Sequence, residues 1–341
     1  MEILGYHIDI EEAAKTITEK GYHTIAMQIP EGLKQAVFPL VDYLEKTTKA
    51  TVFVIADPCY GACDIANYEL KNLDVDCVLH LGHLPIPDVE NFWIPTIFVN
   101  AFSSLDVSKV VEKSLPLLKG KKIGLVTTAQ HVHLLEKAAE VLKQHEFEAV
   151  IGQGDDRTAA KGQILGCNFS AATKISSQVD SFLFLGSGMF HPVGLLLSTQ
   201  KHVVAADPYT FTVKTKEIDE LKDVILRQRY GAITGARSAK SFGILLGIKS
   251  GQQRLSLARE IKKMLDDLQK KNIFIAMDAF SSESLQGFLD VDCFVSTACP
   301  RIAIDDYVRY KKPIITPVEL EVVVGKRTWD DYRFDQILKE E

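Results

Sequence analysis

Val75-Asp76-Cys77-Val78-Leu79-His80-Leu81-Gly82, Val179-Asp180-Ser181-Phe182-Leu183-Phe184-Leu185-Gly186 and Val291-Asp292-Cys293-Phe294-Val295-Ser296-Thr297-Ala298 are three versions of one pattern. Each opens Val-Asp and continues as a short, nearly unbroken apolar run. A strand buried on both faces of a parallel sheet reads this way, whereas a strand with one wet face alternates. The three stand 104 and 112 residues apart, a period of domain size rather than that of a solenoid.

The same order of elements recurs around each of them. A strand is expected at 24–29, 122–127 and 242–248. Apolar residues at helical spacing follow: Leu33, Val37, Leu40 and Leu44; Leu134, Leu135, Ala138, Val141 and Leu142; Leu257, Ile261, Met264, Leu265 and Leu268. A second strand comes at 50–56, 147–151 and 272–277, the Val-Asp strand is third, and a fourth comes at 94–100, 202–206 and 312–316. Alternating strands and helices build βαβ units and parallel sheets. The expected fold is therefore α/β: three homologous domains, each a four-stranded parallel sheet flanked by helices. Their spans are 1–104, 105–211 and 212–341, the last with a C-terminal tail.

The 341 residues are 46% hydrophobic and 25% charged, an ordinary globular composition. A net charge of −6 argues against a general nucleic-acid surface, which needs clustered cations. No stretch approaches the roughly 20 apolar residues of a spanning helix, and the first twenty residues lack a basic segment followed by an apolar run. A cytoplasmic protein is expected. In that reducing setting, the six cysteines are for metal ligation or burial rather than disulfides.

In open α/β sheets ligands bind beyond the carboxyl ends of the strands, and three cysteine-bearing loops fall there. They are Asp57-Pro58-Cys59-Tyr60-Gly61-Ala62-Cys63-Asp64, Gly162-Gln163-Ile164-Leu165-Gly166-Cys167, and Ala298-Cys299-Pro300-Arg301-Ile302-Ala303-Ile304-Asp305-Asp306. Cys77 and Cys293 share a strand position with Ser181, which marks a small packed site. Gly61 and Ala62 suggest a tight loop opening a helix, on which Cys63 would point elsewhere. Cys59, Cys167 and Cys299 remain, one from each repeat. Three thiolates suit an iron–sulfur cluster with one open iron better than a closed structural site.

Other polar residues carry two readings each. Arg301 can clamp a carboxylate bidentately or form a salt bridge. Asp278, at the end of a strand, can bind ribose hydroxyls or cap a helix. Gly186-Ser187-Gly188 is a turn able to approach a ligand, without the third glycine of a phosphate fingerprint. His80, His83, His131, His133 and His191 stand near strand ends and read as hydrogen-bonded structural residues.

The wording of the loops resembles one family. DPCYGACD, GQILGC and ACPRIAIDD, with Gln28-Ile29-Pro30-Glu31-Gly32-Leu33 and Leu185-Gly186-Ser187-Gly188-Met189-Phe190-His191-Pro192, are similar to the diphthamide synthase family over roughly residues 10 to 325. The resemblance implies three domains around a central [4Fe-4S] cluster held by Cys59, Cys167 and Cys299. It implies a radical-type transferase that cleaves S-adenosylmethionine at the methionine Cγ and releases methylthioadenosine. The 3-amino-3-carboxypropyl group then passes to C2 of a histidine in translation elongation factor 2. Arg301, Gly186, Ser187 and Asp278 are the candidates to bind S-adenosylmethionine. Without long terminal extensions, the chain resembles the archaeal homodimeric form, which also needs an electron donor. The competing readings are a quinolinate-synthase-like iron–sulfur dehydratase and a non-catalytic iron–sulfur or zinc scaffold.

Overall fold

The computed structural model describes residues 1–66, 68–87, 89 and 92–339, with Tyr68 and Glu69 described by their backbone alone. The first sheet is built from β1 (Thr24–Gln28), β2 (Thr51–Val54), β3 (Cys77–Leu81) and β4 (Thr96–Val99). The second holds β5 (Lys122–Thr127), β6 (Glu148–Val150), β7 (Ser181–Leu185), β8 (His202–Asp207) and β9 (Thr212–Lys214). The third holds β10 (Ser241–Gly247), β11 (Lys271–Met277), β12 (Cys293–Ser296) and β13 (Ile314–Ile315).

All three sheets run in the spatial order second, first, third, fourth strand, with every one of these pairings parallel. The Val-Asp strands thus occupy the same central place. Their register is also the same: Cys77 lies opposite Ile25, Ser181 opposite Ile123 and Cys293 opposite Phe242, each the second residue of its first strand.

Each sheet separates two apolar clusters. Ile25, Met27 and Leu79 face one side of the first sheet, and Ala26 and Val78 the other. Phe182 and Phe184 part from Leu183 and Leu185 in the second, and Phe242 and Ile244 from Leu245 and Phe294 in the third. Burial on both faces is why these strands read as continuous apolar runs rather than alternating ones. The flanking helices α1 (Val37–Thr48), α2 (Leu135–Gln144), α3 (Phe190–Thr199), α4 (Lys216–Ala236) and α5 (Leu255–Asp267) supply the covering layers.

The aspartate of the repeated pair has a structural cause. The Asp76 carboxylate accepts from His23 N at 2.6 Å and Thr24 N at 2.9 Å, and Asp76 N donates to Thr24 O at 2.8 Å. Asp180 does the same with Lys121 N, Lys122 N and Lys122 O, and Asp292 with Lys240 N, Ser241 N and Ser241 O. One side chain thus satisfies backbone donors at the entry of the first strand and sets its register against the third. These hydrogen bonds hold all three carboxyls below the usual aspartate range.

Two features differ from the sequence expectation. β9 adds an antiparallel edge to the second sheet by pairing with Ala205–Asp207, so that sheet continues past residue 211. Glu2–Ile3 and Tyr6–Ile8 form a small antiparallel sheet with Ala101–Ser103. Both are too short to produce a period in the sequence. Among the described residues no helix is long and apolar enough to cross a membrane.

Candidate functional site

The cysteine loops leave the sheets at their carboxyl ends, where the first and third strands diverge to opposite neighbours and open a crevice. The loop after β2 carries Cys59 and Cys63. Asp64 N donates to Gly61 O at 3.0 Å, and the Asp64 carboxylate accepts from Tyr60 N at 3.1 Å. Asp64 is buried and ion-paired with Lys249, which follows β10. This turn presses Cys63 against the third sheet: a Cβ added to Gly251 would lie 2.4 Å from the Cys63 Cα, and Gln252 Nε2 donates to Cys63 Sγ at 3.6 Å. No helix opens at Gly61–Ala62, and Cys63 faces Gly251 and Gln252 of the third sheet.

The long loop after β6 carries Cys167. Arg157, buried, donates through Nη2 to Gly251 O at 2.8 Å and ties this loop to the third sheet. Residues 335–337 brace it from the other side. Ile337 N donates to Cys167 O at 2.8 Å, Asn168 Nδ2 donates to Ile337 O at 3.0 Å, and Phe169 N donates to Gln336 Oε1 at 2.8 Å. Asp335, buried, pairs with Arg254 at 3.0 Å.

Cys299 stands just ahead of α6 (Pro300–Ile304) with extended backbone, as the residue before a proline prefers. The helix α6 is fixed from below by Arg229 of α4. That fully buried guanidinium donates to both carboxylate oxygens of Glu319, at 2.8 and 2.6 Å, to Ala303 O at 2.5 Å and to Ile314 O at 2.8 Å. Glu319 also completes a capping box with Thr316 at the start of α7 (Pro317–Val323).

Three thiols from three sheets therefore share one neighbourhood. Burial pushes the Cys167 thiol up to about 12, and Cys63 pushes it the same way. Burial raises Cys299 well above the usual thiol value, with Cys167 and then Cys63 adding to it. Cys63 is raised by burial and by Asp64. Cys59 is different: burial raises it to about 12, and its strongest charged neighbours are Asp64, Cys63 and Lys249. It also forms a group with His80 and His83, one donor atom of each residue lying within 4.8 Å of the others. Gly251 packs on Cys63 and accepts from Arg157 of the Cys167 loop, while Arg301, two residues past Cys299, packs on Gly166, so Cys63 is the cysteine of its loop that contacts link to the other two loops.

Burial drives both imidazoles toward the neutral form, His80 most strongly and His83 to about 4. Cys77 and Cys293 are fully buried at strand starts, as is Ser181. Among the other candidates, Arg301 stacks its guanidinium 3.3 Å above the Phe190 ring and donates through Nε to Asp305 at 2.6 Å. It lies over the Cys167 loop, since a Cβ on Gly166 would meet its Cδ at 3.3 Å. Gly186 and Gly188 have positive φ in the turn that delivers Phe190 to this place. Asp278 lies 3.9 Å from Lys249, the partner of Asp64, and the helix cap expected of it is made by Ser281 instead.

The sequence of this chain matches the model of the family described as "Putative diphthamide synthesis protein" over residues 29–333. The chain belongs to that family. A diphthamide relative from Pyrococcus horikoshii, named 2-(3-amino-3-carboxypropyl)histidine synthase, is 38% identical over 98% of this chain and 94% of its own length. The Methanocaldococcus jannaschii protein of the same name is 28% identical with the same coverage. The human relative, named as subunit 1 of that synthase, is 28% identical over 95% of this chain and 73% of its own. The crystal structure of Dph2 from Pyrococcus horikoshii with a 4Fe-4S cluster superposes with a TM-score of 0.88 at 37% identity, covering 98% of this chain and 96% of that one. The diphthamide synthesis fold and the site described above thus belong together in one chain.

Sequence reasoning missed Cys63, the Gly251-Gln252 wall against it and the bracing tail. A signal existed for the wall: Ser250-Gly251 follows the first strand of the third repeat, at the ligand end of its sheet.

Proposed function

We propose that this chain performs the first step of diphthamide biosynthesis: transfer of the 3-amino-3-carboxypropyl group of S-adenosylmethionine to C2 of a histidine in translation elongation factor 2, releasing methylthioadenosine. What supports the reading is the packing of Cys63 on Gly251, which Arg157 ties to the Cys167 loop, and of Arg301, beside Cys299, on Gly166, in a chain that matches this family from residue 29 to 333. These three are the proposed ligands of a [4Fe-4S] cluster. Buried thiols this costly to ionise become thiolates only beside a strongly cationic group, and three of them leave one iron open.

When bound, the cluster supplies the electron that breaks the bond between the sulfonium sulfur and the methionine Cγ. The protein's part is to orient that bond and exclude water. Arg301, with Nε held by Asp305 and its plane on Phe190, presents its other N–H edge to the substrate carboxylate. The Gly186-Ser187-Gly188 turn lets the substrate approach close to the backbone, and Asp278 offers an acceptor for ribose hydroxyls.

In the cytoplasm, where elongation factor 2 works, the chain acts as a pair of identical subunits; the Pyrococcus horikoshii relative that it covers to 94% is named without a subunit designation. An external electron donor completes the system. The net charge of −6 supports a protein substrate recognised without direct nucleic-acid contact. Family membership argues against the dehydratase and scaffold readings.

The test is anaerobic turnover with dithionite, S-adenosylmethionine and elongation factor 2. Methylthioadenosine and a mass gain on one histidine are expected; predominant 5′-deoxyadenosine, or an unmodified factor despite turnover, refutes the assignment.

A further inference from the structure

We infer that Cys59, His80 and His83 form a second metal site, separate from the three-thiol site, that takes a zinc-class transition ion. The inference rests on the reading above in one respect: Cys59 is left out of the cluster ligands.

The donors come from two segments of the first sheet, the loop after β2 and the end of β3. Gln28 and His80 are both buried beside them. Gln28 Nε2 donates to Asp64 O at 2.7 Å, which leaves its Oε1 as the acceptor for Ala66 N at 3.2 Å and His80 Nδ1 at 2.9 Å. An amide oxygen can only accept, so His80 must carry its proton on Nδ1 and keep its lone pair on Nε2. A metal-binding histidine commonly has this arrangement, with the non-ligating nitrogen donating to a fixed oxygen.

The lone pair of His80 Nε2 faces His83 Nδ1 at 3.1 Å. Two nitrogens bound to one tetrahedral zinc at about 2.0–2.1 Å sit about 3.3 Å apart, so this pair already has the spacing of joint ligands. A sulfur and a nitrogen on the same ion sit about 3.6 Å apart. Cys59 Sγ and one ring nitrogen of each histidine lie within 4.8 Å of one another, and loop closure of about 1 Å brings in the Cys59 sulfur. The balance is simple: the Cys59 thiol proton goes to solvent, and the His83 proton moves from Nδ1 to Nε2.

One thiolate and two imidazoles are the borderline-soft set that suits zinc over magnesium or calcium. Three protein donors leave a fourth position for water. Gln28 links this site to the carbonyl of Asp64, next to Cys63, so the ion would brace the loop that presents a cluster ligand.

The experiment is metal analysis of the full-length, anaerobically reconstituted protein after dialysis against zinc and then against a weak chelator. Wild type is expected to keep one zinc per chain beside its iron. Cys59→Ala and His83→Ala are expected to lose the zinc and keep the iron, while Cys63→Ala loses the iron and keeps the zinc. Cys59→His, which rebuilds a three-histidine set, is expected to hold zinc and so shows that loss in Cys59→Ala is not misfolding. Zinc absent from wild type, or unchanged in Cys59→Ala, overturns the inference. Iron lost from Cys59→Ala with Cys63→Ala iron-replete overturns both the inference and the ligand assignment, whereas iron lost from neither variant overturns the assignment alone.

Discussion

Cys59 and Cys63 are four positions apart on one loop, and a spacing alone cannot say which turns inward. What decides it lies elsewhere: Asp64 closes the turn, Lys249 holds Asp64, and Gly251 leaves room for the Cys63 backbone. The sequence carried two thiols of the proposed site, because Cys167 and Cys299 are the only cysteines of their loops. It could not carry the choice between two cysteines, which depends on a contact with a residue 188 positions away. Gly251→Ala tests this contact directly. Its Cβ would meet backbone, which cannot swing aside, so the loop must move at a cost of about 1–3 kcal/mol. The expected result is a folded protein with reduced iron retention, read by iron per chain and a thermal melt; full iron content would show that the close packing does not position Cys63.

At the scale of elements, the Val-Asp pairs were visible in the sequence, and with them the order of strands. Their reason was not, since the aspartate acts on backbone more than fifty residues earlier. All three carboxyls are held low, so the hydrogen-bonded form contributes stability above the unfolded aspartate pKa near 3.9 and loses it as pH falls through the lower folded values. Asp76→Asn, Asp180→Asn and Asp292→Asn should each flatten acid unfolding below about pH 4 while lowering stability at pH 7, because the amide is a weaker acceptor. Circular dichroism across an acid titration reads both; wild-type behaviour in all three would remove the clamp as an explanation of the repeat.

Arg229 acts between elements in a different way. It joins α4 to the carbonyl of Ala303 in α6 and to Glu319 in α7, all without solvent. Arg229→Met leaves Glu319 charged and buried, and the expected loss is about 3–5 kcal/mol in chemical denaturation. Adding Glu319→Gln should recover part of it. A loss below about 1 kcal/mol would mean that water reaches the site and screens the pair as it does at a surface.

For the molecule as a whole, three sheets of the same topology each lend one thiol to the proposed cluster site, so no single sheet would hold it. The antiparallel additions at 2–8, 101–103 and 212–214 stayed illegible because two or three residues give no measurable period. The tail was illegible for another reason: Phe334, Asp335 and Ile337 look like any polar-apolar mixture until the surface that receives them is known. A chain ending at Arg333 should keep its sheets, seen as unchanged far-ultraviolet circular dichroism, and lose much of its iron as the Cys167 loop loosens. Iron retention equal to wild type would show that the tail is dispensable to the site.

The position of that tail sets an order of events during synthesis. Cys63, Cys167 and Cys299 all precede Asp335 and Ile337, so the third thiol emerges from the ribosome while the loop around Cys167 still lacks that strap. Cluster delivery therefore has a window, opened when the third thiol emerges and narrowed when residues 335–337 dock.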